Sequence, residues 1–184
     1  MTIIPTPLAD CFVIVPRVFN DGRGYFFESF SEKAFAEASG KHIHFVQDNQ
    51  SYSTKGVLRG LHYQKGEFAQ SKLVRVTKGE VLDVVVDLRT GSPTFGQHYA
   101  VRLSAENNHQ FFVPKGFAHG FIVLSDDAIF QYKCDAYYNK QSEGGLHYAD
   151  PALGIDWVLD KSEYIVNEKD EQQPLLNDIG ETGF

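Results

Sequence analysis

The sequence predicts an all-β protein, an antiparallel sandwich or jelly-roll barrel. Aromatic residues make up 14% of its 184 positions, fifteen Phe and nine Tyr among them, and these suit pleated, half-buried surfaces. Val81 to Leu88 reads VLDVVVDL, a run rich in β-branched residues. Short runs of the same kind recur between Lys72 and Cys134, each closed by a turn signal, the spacing of closely packed antiparallel strands.

The N-terminus, MTIIPTPLADCFVIVP, is an apolar run broken by Pro5, Pro7 and Asp10. It has no basic start and no small-residue cleavage pattern, so no signal peptide is expected. One helix is expected from about Glu32 to Ser39. Ser29 with Glu32 fits a capping box, Ala34, Phe35 and Ala38 form a helical stripe, and Gly40 can end it. Lys72–Val76 is a strand, followed by a turn at Lys78-Gly79. In the strand Val81–Leu88, Leu82, Val84, Val86 and Leu88 share one face, and Val81, Asp83, Val85 and Asp87 the other. After Gly91-Ser92-Pro93 come strands at Gln97–Leu103, Gln110–Val113, Phe117–Leu124 and Ile129–Cys134. Beyond Asn139 the alternation weakens, and loops with short helical turns are expected to cover the barrel. No repeat, linker or composition break divides the chain, which predicts a single domain over residues 1–184.

The formal net charge is −7 and no run of Lys or Arg occurs, which disfavours nucleic acid as a partner. A small anionic ligand is still compatible, because a few converging cations can hold it against an acidic background. No apolar stretch is long enough to span a bilayer. Cys11 and Cys134 have no paired spacing and read as small apolar residues of a reducing compartment. A cytoplasmic protein with no membrane partner is the expectation.

The densest cluster of chemistry-bearing residues is Val57-Leu58-Arg59-Gly60-Leu61-His62-Tyr63-Gln64. Strict alternation puts Arg59 and His62 on opposite faces. Gly60 permits a bulge that could re-aim one of them into a shared pocket. A histidine is the natural general base near neutral pH, although a lone one is more often satisfied by an ordinary hydrogen bond. Metal-binding barrels of this type carry two histidines one residue apart, a nearby carboxylate and a later histidine. Around His62, position 60 is Gly and position 64 is Gln, and His42 and His44 lie in a stretch expected to be exposed. No metal is therefore expected. Lys72 shares its face with Val74 and Val76, and Asp83 with Val81 and Val85. Charges so placed must be paired or used. Tyr132, within Ile129-Phe130-Gln131-Tyr132-Lys133, reads from its neighbours alone as a packing tyrosine.

Taken in order, the segments FNDGRGYFFESF (19–30), FVQDNQSYS (45–53), VLRGLHYQ (57–64), KLVRVTKGEVLDVVVDLR (72–89) and SPTFGQ (92–97) resemble the dTDP-4-dehydrorhamnose 3,5-epimerase family. The likeness continues through VPKGFAHGF (113–121), YKCDAYYNKQSEGG (132–145), DPALGIDW (150–157) and NEKD (167–170). It implies a cupin-type jelly roll, a homodimer, and no cofactor. It implies that His62 is the base with Asp170 as its carboxylate partner, that Tyr132 is the acid, and that Lys72 lies near the sugar. His119 matches the family's second histidine. Nucleotide and diphosphate contacts carry over to Arg23, Glu28, Gln47, Asp48, Asn49, Arg59, Glu143 and Lys169, and Tyr138 matches the aromatic residue that stacks on thymine. Asp83 is expected to orient Lys72 or His62. Asn139-Lys140-Gln141-Ser142 is the least typical stretch, since family members often carry Ser or Ala, Pro and acidic residues there.

The implied reaction inverts carbons 3 and 5 of dTDP-4-keto-6-deoxy-D-glucose, a step of dTDP-L-rhamnose biosynthesis. The ketone at carbon 4 acidifies both neighbouring positions, and inversion needs a base and an acid on opposite faces of the ring. Two alternatives share the scaffold: an enzyme acting at carbon 3 alone or moving the ketone, and a non-catalytic nucleotide-sugar-binding module.

Overall fold

The computed structural model describes residues 1–184. Two antiparallel sheets face one another. The first runs in the order β1 (Thr2–Pro5), β2 (Phe12–Val15), β10 (Gln110–Val113), β7 (Lys72–Lys78), β12 (Asp127–Cys134) and β5 (Gln47–Thr54). The second runs β13 (Glu143–Gly145), β6 (Leu58–Gln64), β11 (Phe117–Val123), β8 (Glu80–Asp87) and β9 (His98–Ser104). A separate hairpin joins β3 (Phe19–Asp21) to β4 (Gly24–Phe26). This is the cupin-type jelly roll expected, and its non-consecutive strand neighbours reflect chain crossovers between the two layers.

Three apolar clusters hold the layers. The interior between the sheets contains Val74, Val76, Val81, Val85, Phe111 and Phe130. The outer face of the second sheet packs Leu82, Val84, Val86 and Leu88 against Leu146, Leu153 and Trp157 of the C-terminal segment. The face assignment read from VLDVVVDL therefore holds, and both faces of β8 are covered. The outer face of the first sheet carries Phe12, Ile14, Leu73 and Phe112, capped by Phe35 of the helix α1 (Glu32–Ser39). The helix has the expected bounds, and Gly40 closes it in the left-handed region at φ 70°. Its N-cap is Ser31, whose side chain accepts from the Ala34 N–H, and not Ser29, which lies two residues too early.

β1 to β5 form strands that the sequence pattern did not reveal. β5 has no apolar alternation to detect, because its inward residues Gln47, Asn49 and Ser51 are themselves polar. The C-terminal segment does form short helical turns over the barrel, but Glu143–Gly145 also adds a strand to the edge of the second sheet beside β6. Cys11 and Cys134 are free and buried. No helix is long and apolar enough to cross a membrane.

Candidate active site

The site opens between the sheets at the end where β6 and β12 face each other. Its geometry starts at Gly60. In the pairing of β6 with β11, His62 stands opposite His119 and Arg59 opposite Phe121, so two residues of β6 answer one of β11. That bulge cancels the alternation which would have separated Arg59 from His62, and both side chains line one cavity. Only glycine fits at its centre. Gly60 has φ +121°, and a Cβ there would lie 2.7 Å from Gly120 Cα and 2.8 Å from the His119 carbonyl oxygen.

The inner cavity, about 290 Å³, brings together Arg59, His62, Lys72, His119, Tyr132 and Asp170. It adjoins a wider cleft of about 580 Å³ through the shared residues Asn49, His62, Lys72 and Tyr132. The cleft adds Gln47, Tyr138, Glu143 and Lys169. His62 lies on the second sheet and Tyr132 on the first, so the imidazole and the phenol occupy facing walls.

His62 Nε2 lies 2.6 Å from Asp170 Oδ1. Asp170 belongs to the one-turn helix α2 (Glu168–Glu171) and is fully buried. Its Oδ2 accepts from the Gly60 N–H at 3.0 Å. Burial pushes the Asp170 carboxyl up, but the hydrogen bonds from His62 and Gly60 outweigh it and hold the group below its ordinary range. An ionised Asp170 fixes the imidazole tautomer with its proton on Nε2. The other ring nitrogen, Nδ1, has no hydrogen-bond partner in the protein and keeps its lone pair for the cavity.

Burial raises the Tyr132 phenol and lowers the Lys72 ammonium. Both shifts come from the same dry wall, where the charged form of either group is disfavoured. Lys72 Nζ lies 6.0 Å from the centre of the Tyr132 ring. Asp83 does not hydrogen-bond Lys72 or His62. Its oxygens lie 3.0 and 2.9 Å from His119 Nε2, and its attraction for Lys72 acts through space. Burial raises the Asp83 carboxyl and lowers His119, so both groups are pushed toward neutrality.

Around the cleft, Lys169 donates to Glu143 at 2.7 Å; this bond lowers the Glu143 carboxyl and raises the lysine. Arg59 Nε donates to Ser53 Oγ at 3.0 Å, leaving its guanidinium without a carboxylate partner. Three expected binding residues stand apart. Asp48 alternates out of the site between Gln47 and Asn49 and pairs with Lys133 on the outer face of β12. Arg23 sits on the exposed β3–β4 hairpin with Asp21 as its partner. Glu28 lies beside Ser29 and Phe30 in a small outer crevice.

The cleft also contains residues that the sequence reading left out of the site. Gln64, buried on β6, accepts from the Asn139 N–H at 2.6 Å and donates to the Phe68 and Tyr137 carbonyls at 3.0 and 3.3 Å. It thereby ties the loop that carries Tyr138 to the strand that carries His62. Gln70, Lys140 and Gln173 complete the rim. The signal for Gln64 was its two-residue spacing from His62, which puts both on one strand.

Comparison with known proteins shows the family. A family model described as dTDP-4-dehydrorhamnose 3,5-epimerase matches residues 5–178. The chain is 51% identical over 178 residues to the dTDP-4-dehydrorhamnose 3,5-epimerase of Shigella flexneri, covering 97% of this chain and 92% of that protein. It is similar to the crystal structure of the enzyme of the same name from Elizabethkingia anophelis, with a TM-score of 0.93, 55% identity and 97% of each chain covered. It is also similar to dTDP-6-deoxy-D-glucose-3,5-epimerase from Legionella pneumophila, solved in complex with dTDP-4-keto-L-rhamnose. That match has a TM-score of 0.93 and 52% identity, and covers 97% of this chain and 94% of that one.

Proposed function

This chain belongs to the dTDP-4-dehydrorhamnose 3,5-epimerase family, and on that premise we propose how its side chains divide the work of the reaction. It is an isomerase that converts dTDP-4-keto-6-deoxy-D-glucose to dTDP-4-keto-L-rhamnose by inversion at carbons 3 and 5.

His62 Nδ1 removes the proton next to the ketone, and the electron pair left behind delocalises onto the carbon-4 oxygen as an enolate. Asp170 stabilises the imidazolium that forms. Lys72 donates a hydrogen bond to the enolate oxygen where negative charge develops. Tyr132 delivers a proton from the opposite wall, which inverts the centre. Its phenolate regains a proton from solvent, His62 releases its own, and the cycle repeats at the second carbon. His119 and Asp83 brace the wall beside Lys72. Arg59, Lys169 and Glu143, with Gln47 and Asn49, hold the nucleotide diphosphate, and Tyr138 stacks on the base. Binding energy from that remote end positions the sugar between base and acid.

The observation that carries this division of labour is His62, backed by buried Asp170, facing Tyr132 across one cavity. Incubation with dTDP-4-keto-6-deoxyglucose in heavy water tests it. The parent enzyme incorporates deuterium at both carbons. His62→Ala loses incorporation at both, by at least about 10²–10⁴-fold. Retained exchange in that variant removes His62 from the role of base. Tyr132→Phe still exchanges but fails to deliver correctly at carbon 5, and parent-rate product formation would overturn the assignment of the acid.

We also infer a homodimer whose second copy completes the nucleotide end. The supporting observation is the β3–β4 hairpin, which exposes 50% of Phe19, 58% of Tyr25 and 68% of Phe26 and carries Arg23 at its turn. An exposed aromatic ribbon of this kind is an interaction surface, and a twofold arrangement would deliver Arg23 and Glu28 to the neighbouring cleft. A cytoplasmic location fits the two buried, unpaired cysteines.

A further inference from the structure

Asn167 stands immediately before α2, and both atoms of its amide are bound to one residue. Its Oδ1 accepts from the Asp170 backbone N–H at 2.8 Å, and its Nδ2 donates to Asp170 Oδ2 at 3.3 Å. The first bond is what any N-cap supplies. The second is not required for capping. It falls on the carboxylate that accepts from Gly60 and holds His62 at 2.6 Å. Asp170 is fully buried, so the placement of its two oxygens is decided by these donors and not by water. Gly60 N–H and Asn167 Nδ2 converge on Oδ2, which turns Oδ1 toward the imidazole. Asn167 also lines the inner cavity.

We propose that Asn167 is a positioning residue for proton abstraction: its amide nitrogen fixes the rotation of the Asp170 carboxylate and, through it, the aim of His62 Nδ1. The inference rests on the reading of His62 as the base. Without the amide, Gly60 alone steers Oδ2. The carboxylate can then rotate, and the imidazole spends less time aligned with the carbon–hydrogen bond. A misplacement of this kind lowers turnover and leaves the nucleotide contacts in place as long as the cap of α2, which carries Lys169, is retained.

Two variants separate the donor from the cap. Asn167→Gly keeps most of the N-cap preference and removes the donor without adding charge, while Asn167→Ser keeps both an acceptor and an O–H donor. The expected result is a fall in kcat of about tenfold for Asn167→Gly, the weight of one hydrogen bond to a charged group, with KM within about twofold. Deuterium incorporation at both carbons slows in parallel. Asn167→Ser returns kcat to within about threefold of the parent, because its hydroxyl can still donate to the carboxylate. The idea fails if Asn167→Gly keeps parent kcat, or if the serine variant falls as far as the glycine one. Parent turnover measured alongside tests the epimerase reading by itself, so a failure of the inference is distinguishable from a failure of the function.

Discussion

The Lys72 ammonium lies 6.0 Å from the centre of the Tyr132 ring, on the wall of the cavity that faces His62. Lys72 and Tyr132 therefore stand on one side of the cavity and His62 on the other. Lys72 has no carboxylate within hydrogen-bond reach, since Asp83 is bound to His119. Its amine stands in a dry pocket that disfavours the charged form.

Replacing Lys72 by Met should separate stability from activity. Burial disfavours the ammonium, and the neighbouring Asp83 compensates only in part. An apolar side chain of similar length removes that cost, so the variant is expected to melt higher. Each 1 kcal/mol gained raises Tm by about 2–4 °C at this chain length. On the proposed division of labour the same change removes the donor to the enolate oxygen, and kcat should fall by about 10²–10³-fold. Thermal denaturation and steady-state kinetics on the same preparation check both halves. A variant that is both less stable and fully active would contradict the assignment.

The alkaline side of the pH profile should belong to Lys72. Its folded-state pKa is depressed below 10.5, while that of Tyr132 is raised above 10. Burial thus brings the loss of the ammonium to lower pH and delays ionisation of the phenol, and kcat should begin to decline below pH 10.5 as Lys72 gives up its proton. The stability sign follows from proton counting. Between the folded value of Lys72 and 10.5 the unfolded chain binds more protons, so this group's contribution to stability increases with pH there. Asp170 acts at the other end. Its pKa is depressed below 3.8, so its stabilisation is complete above that value and is lost as pH falls through the folded value. Denaturation of the parent and Lys72→Met at rising pH up to 10.5 should show the stability advantage of the variant narrowing as Lys72 loses its proton.

Gly60→Ala should damage fold and catalysis together. The new Cβ would meet backbone at 2.7 and 2.8 Å, in a conformation at φ +121° that suits glycine. Strain and overpacking together give about 2–6 kcal/mol of destabilisation. The bulge would have to shift, moving Arg59 against His62 and withdrawing the N–H that donates to Asp170. A melting curve unchanged from the parent would show that the bulge tolerates a side chain.

Much of this site could be read from the residues, and the limits have physical causes. Val81 to Leu88 disclosed its two faces because both are apolar, and its two aspartates stood out against them. Those aspartates then diverged. Asp83 entered the site through His119, whereas Asp87 is held by Arg89, Ser92 and Thr94, whose hydrogen bonds overcome burial and depress its pKa to about 2. Nothing in their spacing distinguishes the two. β5 escaped notice because a strand that lines a polar cleft alternates polar with polar. The partnership of His62 with Asp170 spans 108 positions and is invisible to periodicity; only resemblance supplied it. Asp48 shows the opposite limit, because resemblance placed it in the site while its position between Gln47 and Asn49 turns it outward.

Gln64→Leu should weaken nucleotide binding and leave the chemistry nearly intact. The amide satisfies three backbone groups on two segments, and losing it leaves the Tyr137–Asn139 loop untied from β6. Each buried backbone group deprived of its partner costs about 1–3 kcal/mol, so the loop would rearrange to regain water. Tyr138, proposed to stack on the base, would then be free to move away from the cleft. The Kd for dTDP, measured by calorimetry, should rise by about tenfold, and kcat at saturating substrate should stay within about threefold. A larger loss in kcat than in affinity would move Gln64 from the nucleotide end to the reacting end.

Subunit mixing tests the shared site. Arg23 does not line the cleft of its own chain, whereas His62 does. If each cleft takes its arginine from the second copy, Arg23→Ala and His62→Ala homodimers each carry two damaged sites. A hybrid of the two carries one cleft with both lesions and one with neither. Random exchange makes half of all dimers hybrid with one intact site each, so two nearly inactive preparations should recover about a quarter of parent activity after mixing. If both residues served the same cleft, every site in the hybrid would contain one lesion and mixing would recover nothing. Recovery that appears only after unfolding and refolding together, and not on simple mixing, would still require the shared arrangement, because no exchange between chains could otherwise restore a cleft.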